Sequence, residues 1–214
     1  MVIPIADDNR ARRTFPGITY TLILINAIIF FMELAFGDPF IEQWSFVPAR
    51  FLANPGADFI TIFSSMFMHA GWLHIIGNML YLFIFGDNVE DQFGHFKFLI
   101  FYLLCGVVAT LAQMAFSTDS TVPSLGASGA IAGVLGAYIF MFPLARVTVL
   151  MGFFIIPLPA LVVIGFWIVL QIFSGIGSIS DASQTGGVAY FAHIGGFFFG
   201  LIMAPLFRLL GRRR

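Results

Sequence analysis

The stretch SLGASGAIAGVLGAYIFMFP, Ser124 to Pro143, decides how the chain is read. It opens on small residues with two serines, becomes an uninterrupted apolar run and stops at a proline. Proline disfavours helical backbone at the residue before it, so the helix ends near Phe142. From Ser128 that leaves about 15 residues, or roughly 22 Å, against a hydrocarbon core of about 30 Å. An apolar helix too short to cross a bilayer has to start below one face. The backbone leading into it, STDSTVPSLGA (Ser117 to Ala127), then descends as irregular chain. Hydrocarbon tolerates such chain only where protein or a water-filled cavity satisfies its polar groups. Ser128 would sit at the floor of that cavity.

The rest of the chain is as apolar as this stretch. Of 214 residues 59% are hydrophobic and only 10% charged, with 28 phenylalanines. A soluble domain carries about a quarter charged residues, so the composition points to a polytopic membrane protein. No block of like charge suggests a nucleic-acid surface. The lone Cys105 excludes a disulfide framework or a cysteine metal site. The opening MVIPIADDNRARR lacks the apolar core of a removable signal peptide, so the first hydrophobic span is expected to be a retained anchor.

Breaking the chain at Gly, Pro and charge clusters gives six expected spans, at 18–36, 72–89, 96–116, 127–142, 148–174 and 188–207. The expected fold is all-α: a polytopic bundle of six transmembrane helices forming one domain over 1–214. The connection between the first two spans is aromatic and amphipathic and reads as an interfacial segment. Arg10, Arg12, Arg13, Lys97, Arg146, Arg208 and Arg212 to Arg214 fall in even-numbered connections or at the termini, and only Arg50 does not. That distribution favours cytoplasmic termini, with 1–17 as a cytoplasmic segment and 208–214 as a basic tail. Spans two, four and six then begin at the outer face.

Polar side chains inside a bilayer cost free energy and are functional candidates by default. His74 and Asn78 (HIIGN), Ser128 (GASG) and His193 (AHIGG) all lie near the starts of those three spans. His74 and Asn78, four apart, share one helical face. Gly129, Gly133 and Ala137 in span four, and Ala192, Gly196, Gly200 and Ala204 in span six, form small-residue stripes that let helices approach closely. Docking along them would bring His193 towards Ser128. A serine beside a histidine is the minimum for nucleophilic catalysis, and a helix start offers free N–H groups to an oxyanion. Each residue also has a plainer account: packing for GASG, and interhelical hydrogen bonding for the histidines and Asn78. The hydrolase elbow G-x-S-x-G fails at Ala130, and H-E-x-x-H is absent. A metal held by His69, His74 and His193 stays open, as does a small-molecule transporter. Glu33 reads as interfacial.

Taken together, GASG, HIIGN and AHIGGFFFG resemble the rhomboid family of intramembrane serine proteases, in the family's order along the chain. The resemblance covers all six spans and includes Gly86, Glu90 and Gly94 after span two, and Gly165, Trp167 and Gln171 in span five. It implies that Ser128 is the nucleophile and His193 the general base and acid, working as a dyad without an acidic third member. His74, Asn78 and the Ser128 N–H would form the oxyanion hole, while His69 would be structural and Trp167 a gate residue. No cofactor or metal is expected. The implied substrates are transmembrane proteins cut in or near their spans, within the lipid bilayer, with the state of assembly left open. The implied location is a prokaryotic plasma membrane. A non-proteolytic client-binding relative is the alternative within the family. Two positions depart from the family pattern. Ile60 and Thr61 stand where a Trp-Arg pair is common, and Ala132 stands where some members stack a tyrosine on the histidine.

Overall fold

A computed structural model of the protein describes residues 2–10, 12–179 and 188–210. Strand β1 (Val2–Asp7) precedes a long helix, α1 (Gly17–Phe36). Four short helices follow: α2 (Asp38–Trp44), α3 (Pro48–Ala53), α4 (Pro55–Asp58) and α5 (Thr61–Ser64), the last continued by a 3-10 turn at Ser65–Phe67. Then come α6 (Trp72–Phe93), α7 (His95–Ala115) and α8 (Ser128–Met141). A hairpin of β2 (Arg146–Met151) and β3 (Phe154–Pro159) leads into α9 (Ala160–Ile179), and α10 (Tyr190–Leu210) follows.

The molecule is mostly helical, with α8 at its centre. Every residue of α8 from Gly129 to Tyr138 is buried, and the helix packs against α10, α7 and α6. Among the described residues, four helices are long and apolar enough to cross a membrane: α1, α7, α9 and α10. A fifth span results if Pro55–Phe67 and α6, bent by 77° at their junction, count as one. The expected set of six spans is not confirmed: four, or five with the bent pair, pass by length and composition. At 14 residues α8 is too short, as its proline stop implies, and α6 meets the criteria only jointly with its bent partner.

The all-α expectation is also corrected. β1, β2 and β3 form an antiparallel sheet in that order. The expected span 148–174 starts only at Ala160, because residues 146–159 are the hairpin. Its two-residue turn uses Gly152 at φ 62°, a backbone state glycine adopts without steric cost. Pro157 and Pro159 lie on β3, an edge strand, where a missing N–H is tolerated. Val147 and Val149 turn into the core under α8. Of the expected basic tail 208–214, residues 211–214 lie outside the described residues.

Buried polar contacts position the elements. Glu90 on α6 accepts from the Ile18 and Thr19 N–H groups and the Thr19 hydroxyl, capping the start of α1. A helix start has unpaired donors and a positive dipole end, so a carboxylate there is stabilising. Gly86, one turn earlier, leaves room for Thr19. Arg50, the basic residue that breaks the charge pattern, binds Asp58 and the carbonyls of Glu42 and Ser45. It ties α2, α3 and α4 together, so its position serves the fold of the connection. That connection is amphipathic, exposing Leu52, Phe59 and Ile60 while burying Phe46 and Ile62.

Candidate active site

The site is built where α8 begins. Gly126 sits at φ 132°, and its N–H donates to the Ser65 carbonyl. Two residues earlier, Ser124 exchanges both backbone bonds with Phe46, at 2.7 and 3.2 Å. The irregular chain above Ser128 is thus satisfied by the α2–α5 connection. Ser128 is the first residue of α8, so its N–H is among those without an intrahelical acceptor. A narrow cleft at this point is lined by Ser65, Thr110, Gly126, Ser128, Ala189 and Ala192.

His193 reaches the cleft because α8 and α10 touch backbone to backbone. A Cβ on Gly196 would overlap the Gly129 carbonyl oxygen, and one on Gly200 the Gly133 carbonyl oxygen. Gly136, outside the stripe expected from spacing, meets the Phe197 carbonyl in the same way. The Gln113 side chain on α7 accepts from the Ala192 N–H, and Phe116 stacks on Phe191 with ring centroids 3.9 Å apart. The start of α10 is held from two sides.

The Ser128 Oγ and the His193 Nε2 are 2.8 Å apart. The other ring nitrogen, Nδ1, lies 2.7 Å from Oε1 of Gln171 on α9. The Trp167 ring, one turn earlier on α9, packs on the imidazole at 5.6 Å and 39°. Ala132, where some family members stack a tyrosine on the histidine, is fully buried in α8. A hydroxyl within hydrogen-bonding reach of an imidazole can give up its proton as it attacks an electrophile.

His74 belongs to the same cluster. Its Nδ1 accepts from the Ala70 N–H, so Nε2 carries the proton. That Nε2 edge lies against Gly126, where a Cβ would come within 2.9 Å of it and 3.6 Å of the Ser128 Oγ. Asn78, one turn along α6, is buried, and its Nδ2 donor has no partner among the described residues. A buried amide donor without an acceptor is costly, and it can serve an anion that forms only transiently.

His69 is buried with neither ring nitrogen partnered among the described residues, edge-on to His74 at 5.1 Å. Its backbone N–H donates to both Glu33 oxygens at 3.1 Å. Glu33 is therefore buried within the protein, joining α1 to the turn before α6. Among the described residues no group of three His, Cys, Asp or Glu side chains is arranged to hold a metal ion.

The Rhomboid domain matches residues 56–209, more than half of the protein. The chain belongs to the rhomboid family. It is 27% identical over 196 residues to the mitochondrial Rhomboid protein 1 of Saccharomyces cerevisiae, covering 89% of this chain and 53% of that one. It is 30% identical over 153 residues to Rhomboid protease AarA of Providencia stuartii, covering 63% and 54%. With Rhomboid protease GluP of Bacillus subtilis it shares 29% over 186 residues, covering 86% and 34%. The chain thus spans about half or less of the length of these curated relatives. Membership and the apolar helices make this a membrane-embedded rhomboid with protease relatives in bacteria. Reading spacing alone missed Gln171 as a neighbour of the histidine. The signal available was a lone amide in an otherwise apolar span.

Proposed function

We propose that the protein is an intramembrane serine endopeptidase, cutting peptide bonds in or near the transmembrane segments of other membrane proteins. The observation that carries this reading is the 2.8 Å approach of the Ser128 Oγ to the His193 Nε2 at the sunken start of α8. In the reaction the Ser128 hydroxyl attacks the scissile carbonyl while its proton passes to Nε2 of His193. The carbonyl oxygen becomes an oxyanion, met by the Asn78 Nδ2, the His74 Nε2–H and the Ser128 N–H. Collapse of the tetrahedral intermediate expels the amine, which takes the proton from Nε2. Water then attacks the acyl carbonyl as its proton passes to the same nitrogen, and collapse of this second intermediate breaks the C–Oγ bond as Nε2 returns the proton to Ser128 Oγ, releasing the new carboxyl end. A helical substrate hides its carbonyls in intrahelical bonds, so it has to unwind locally to react. The arginine distribution favours cytoplasmic termini, which would put the serine end of α8 near the outer face.

The test is labelling of the detergent-solubilised protein by a fluorophosphonate, which reacts covalently with activated serines. Wild type is expected to label, while Ser128→Ala and His193→Ala do not. Folded wild type that fails to label would overturn the reading in favour of client binding or transport.

A further inference from the structure

The geometry points to Gln171 as a positioning residue that sets the tautomer of His193. The inference rests on the Ser128–His193 reading above and deepens it. A base has to present a lone pair to the serine hydroxyl, so Nε2 must be unprotonated and the single proton must reside on Nδ1. A histidine side chain left to itself favours the opposite arrangement, with the proton on Nε2. In that form the ring would donate towards Ser128 Oγ and could not accept its proton. The Gln171 Oε1, 2.7 Å from Nδ1, accepts from an Nδ1–H and stabilises the tautomer the reaction needs. When Nε2 takes the serine proton, the same bond persists and supports the imidazolium.

An amide suits this place better than a carboxylate would. His193 is 8% exposed, in a helix long and apolar enough to span a membrane. A permanent negative charge beside it would carry a desolvation cost between turnovers. A neutral carbonyl oxygen orients the ring without that cost. The arrangement also distributes the machinery. Ser128 belongs to α8, His193 to α10, and Gln171 with Trp167 to α9. The histidine is therefore set as a base only while α9 is docked against α10. Gln171 touches neither the reacting oxygen nor the scissile bond, so it acts through His193.

The experiment compares wild type, Gln171→Leu and Gln171→Glu in detergent by two readouts. One is turnover of a membrane-protein substrate, separated into kcat and KM. The other is 15N NMR of histidine-labelled protein, with the His193 signals assigned by their loss in His193→Ala. Wild type is expected to show Nδ1 protonated and Nε2 unprotonated. Gln171→Leu is expected to shift the proton towards Nε2 and to lower kcat about 10- to 100-fold, a part of the roughly 10²–10⁴-fold that a positioned acid–base group contributes, with KM unchanged. Gln171→Glu keeps an acceptor oxygen and should restore the Nδ1–H signal and most of the rate. Gln171→Leu with wild-type kcat and tautomer would overturn the inference, and so would failure of the glutamate to restore the tautomer. The dyad reading fails separately, through fluorophosphonate labelling of Ser128→Ala or His193→Ala. Thermal unfolding of each variant identifies any that lose kcat by misfolding.

Discussion

At the scale of single residues, chemistry is assigned by what each buried polar atom lacks. Asn78 sits in an apolar helix with a donor that meets no acceptor among the described residues. Such an atom destabilises the ground state unless something arrives to accept from it. Under the proposed mechanism that acceptor is the oxyanion. Asn78→Ala is then expected to lower kcat by about 10²–10³-fold with little change in KM, the size of losing one oxyanion donor. Steady-state kinetics against a membrane substrate checks this. A rise in KM with kcat intact would instead assign Asn78 to substrate binding. Glu33 and Glu90 present the opposite case. Both are buried, both accept from backbone N–H groups, and neither is in the cluster around Ser128.

Among the helices, the distance between serine and histidine is governed by glycine. The α8–α10 contact puts carbonyl oxygens where side chains would stand, so the helices are closer than ordinary packing allows. Adding one methyl at Gly200 drives a Cβ into the Gly133 carbonyl, and backbone cannot yield as a flexible side chain can. Gly200→Ala is expected to cost about 1–3 kcal/mol, the usual range for overpacking. Gly165 on α9 has nothing within 4 Å of the place an added methyl would take, so Gly165→Ala is the matched control and should be neutral or slightly stabilising. Unfolding in detergent, read by tryptophan fluorescence, separates the two. Equal stability would mean that α8 and α10 can part without loss.

Across the molecule as a whole, the small sheet links the N-terminal segment to the helix that carries Ser128. Asp7, at the end of β1, accepts from the Tyr138 hydroxyl on α8 and the Asn88 amide on α6, each at 2.7 Å. Its surroundings also include Asp87 on α6, bound to Arg12, then Asp8, Arg10 and Arg146 on β2. Burial pushes the Asp7 carboxyl up to about 6, with Asp87 and Asp8 adding repulsion against the two hydrogen bonds. The docked strand thus holds a proton that a free carboxyl releases near 3.8. Its docking is strongest below that pH and weakens as pH rises through about 6. Hydrogen exchange along β1, corrected for intrinsic rates, should show less protection at about pH 8 than at about pH 5, and Asp7→Asn should reduce the dependence. Wild-type protection that does not change with pH would refute the linkage.

A membrane-embedded helical protein is legible in the chain alone, because composition and long apolar runs have few other solutions in water or lipid. The short α8 is legible too, since a proline stop and a polar start are local signals. The small-residue stripes of α8 and α10 could be read because close helix contact demands residues of that size at that spacing. The hairpin was lost in an apolar run. In RVTVLMGFFIIPLP polar alternation is confined to Arg146 and Thr148, and the other marks against a helix are Gly152, Pro157 and Pro159. β1 was missed for a related reason: its partners, Val147 to Met151, lie about 140 residues away. Three contacts came from the folded molecule and from nothing shorter: Gln171 meets His193, Arg50 ties together the α2–α5 connection, and Glu90 caps α1. Gln171 and Glu90 meet partners 22 and 71 residues away, and Arg50 meets groups five and eight residues away at separate short helices; periodicity along one segment carries no record of which other segment supplies the partner.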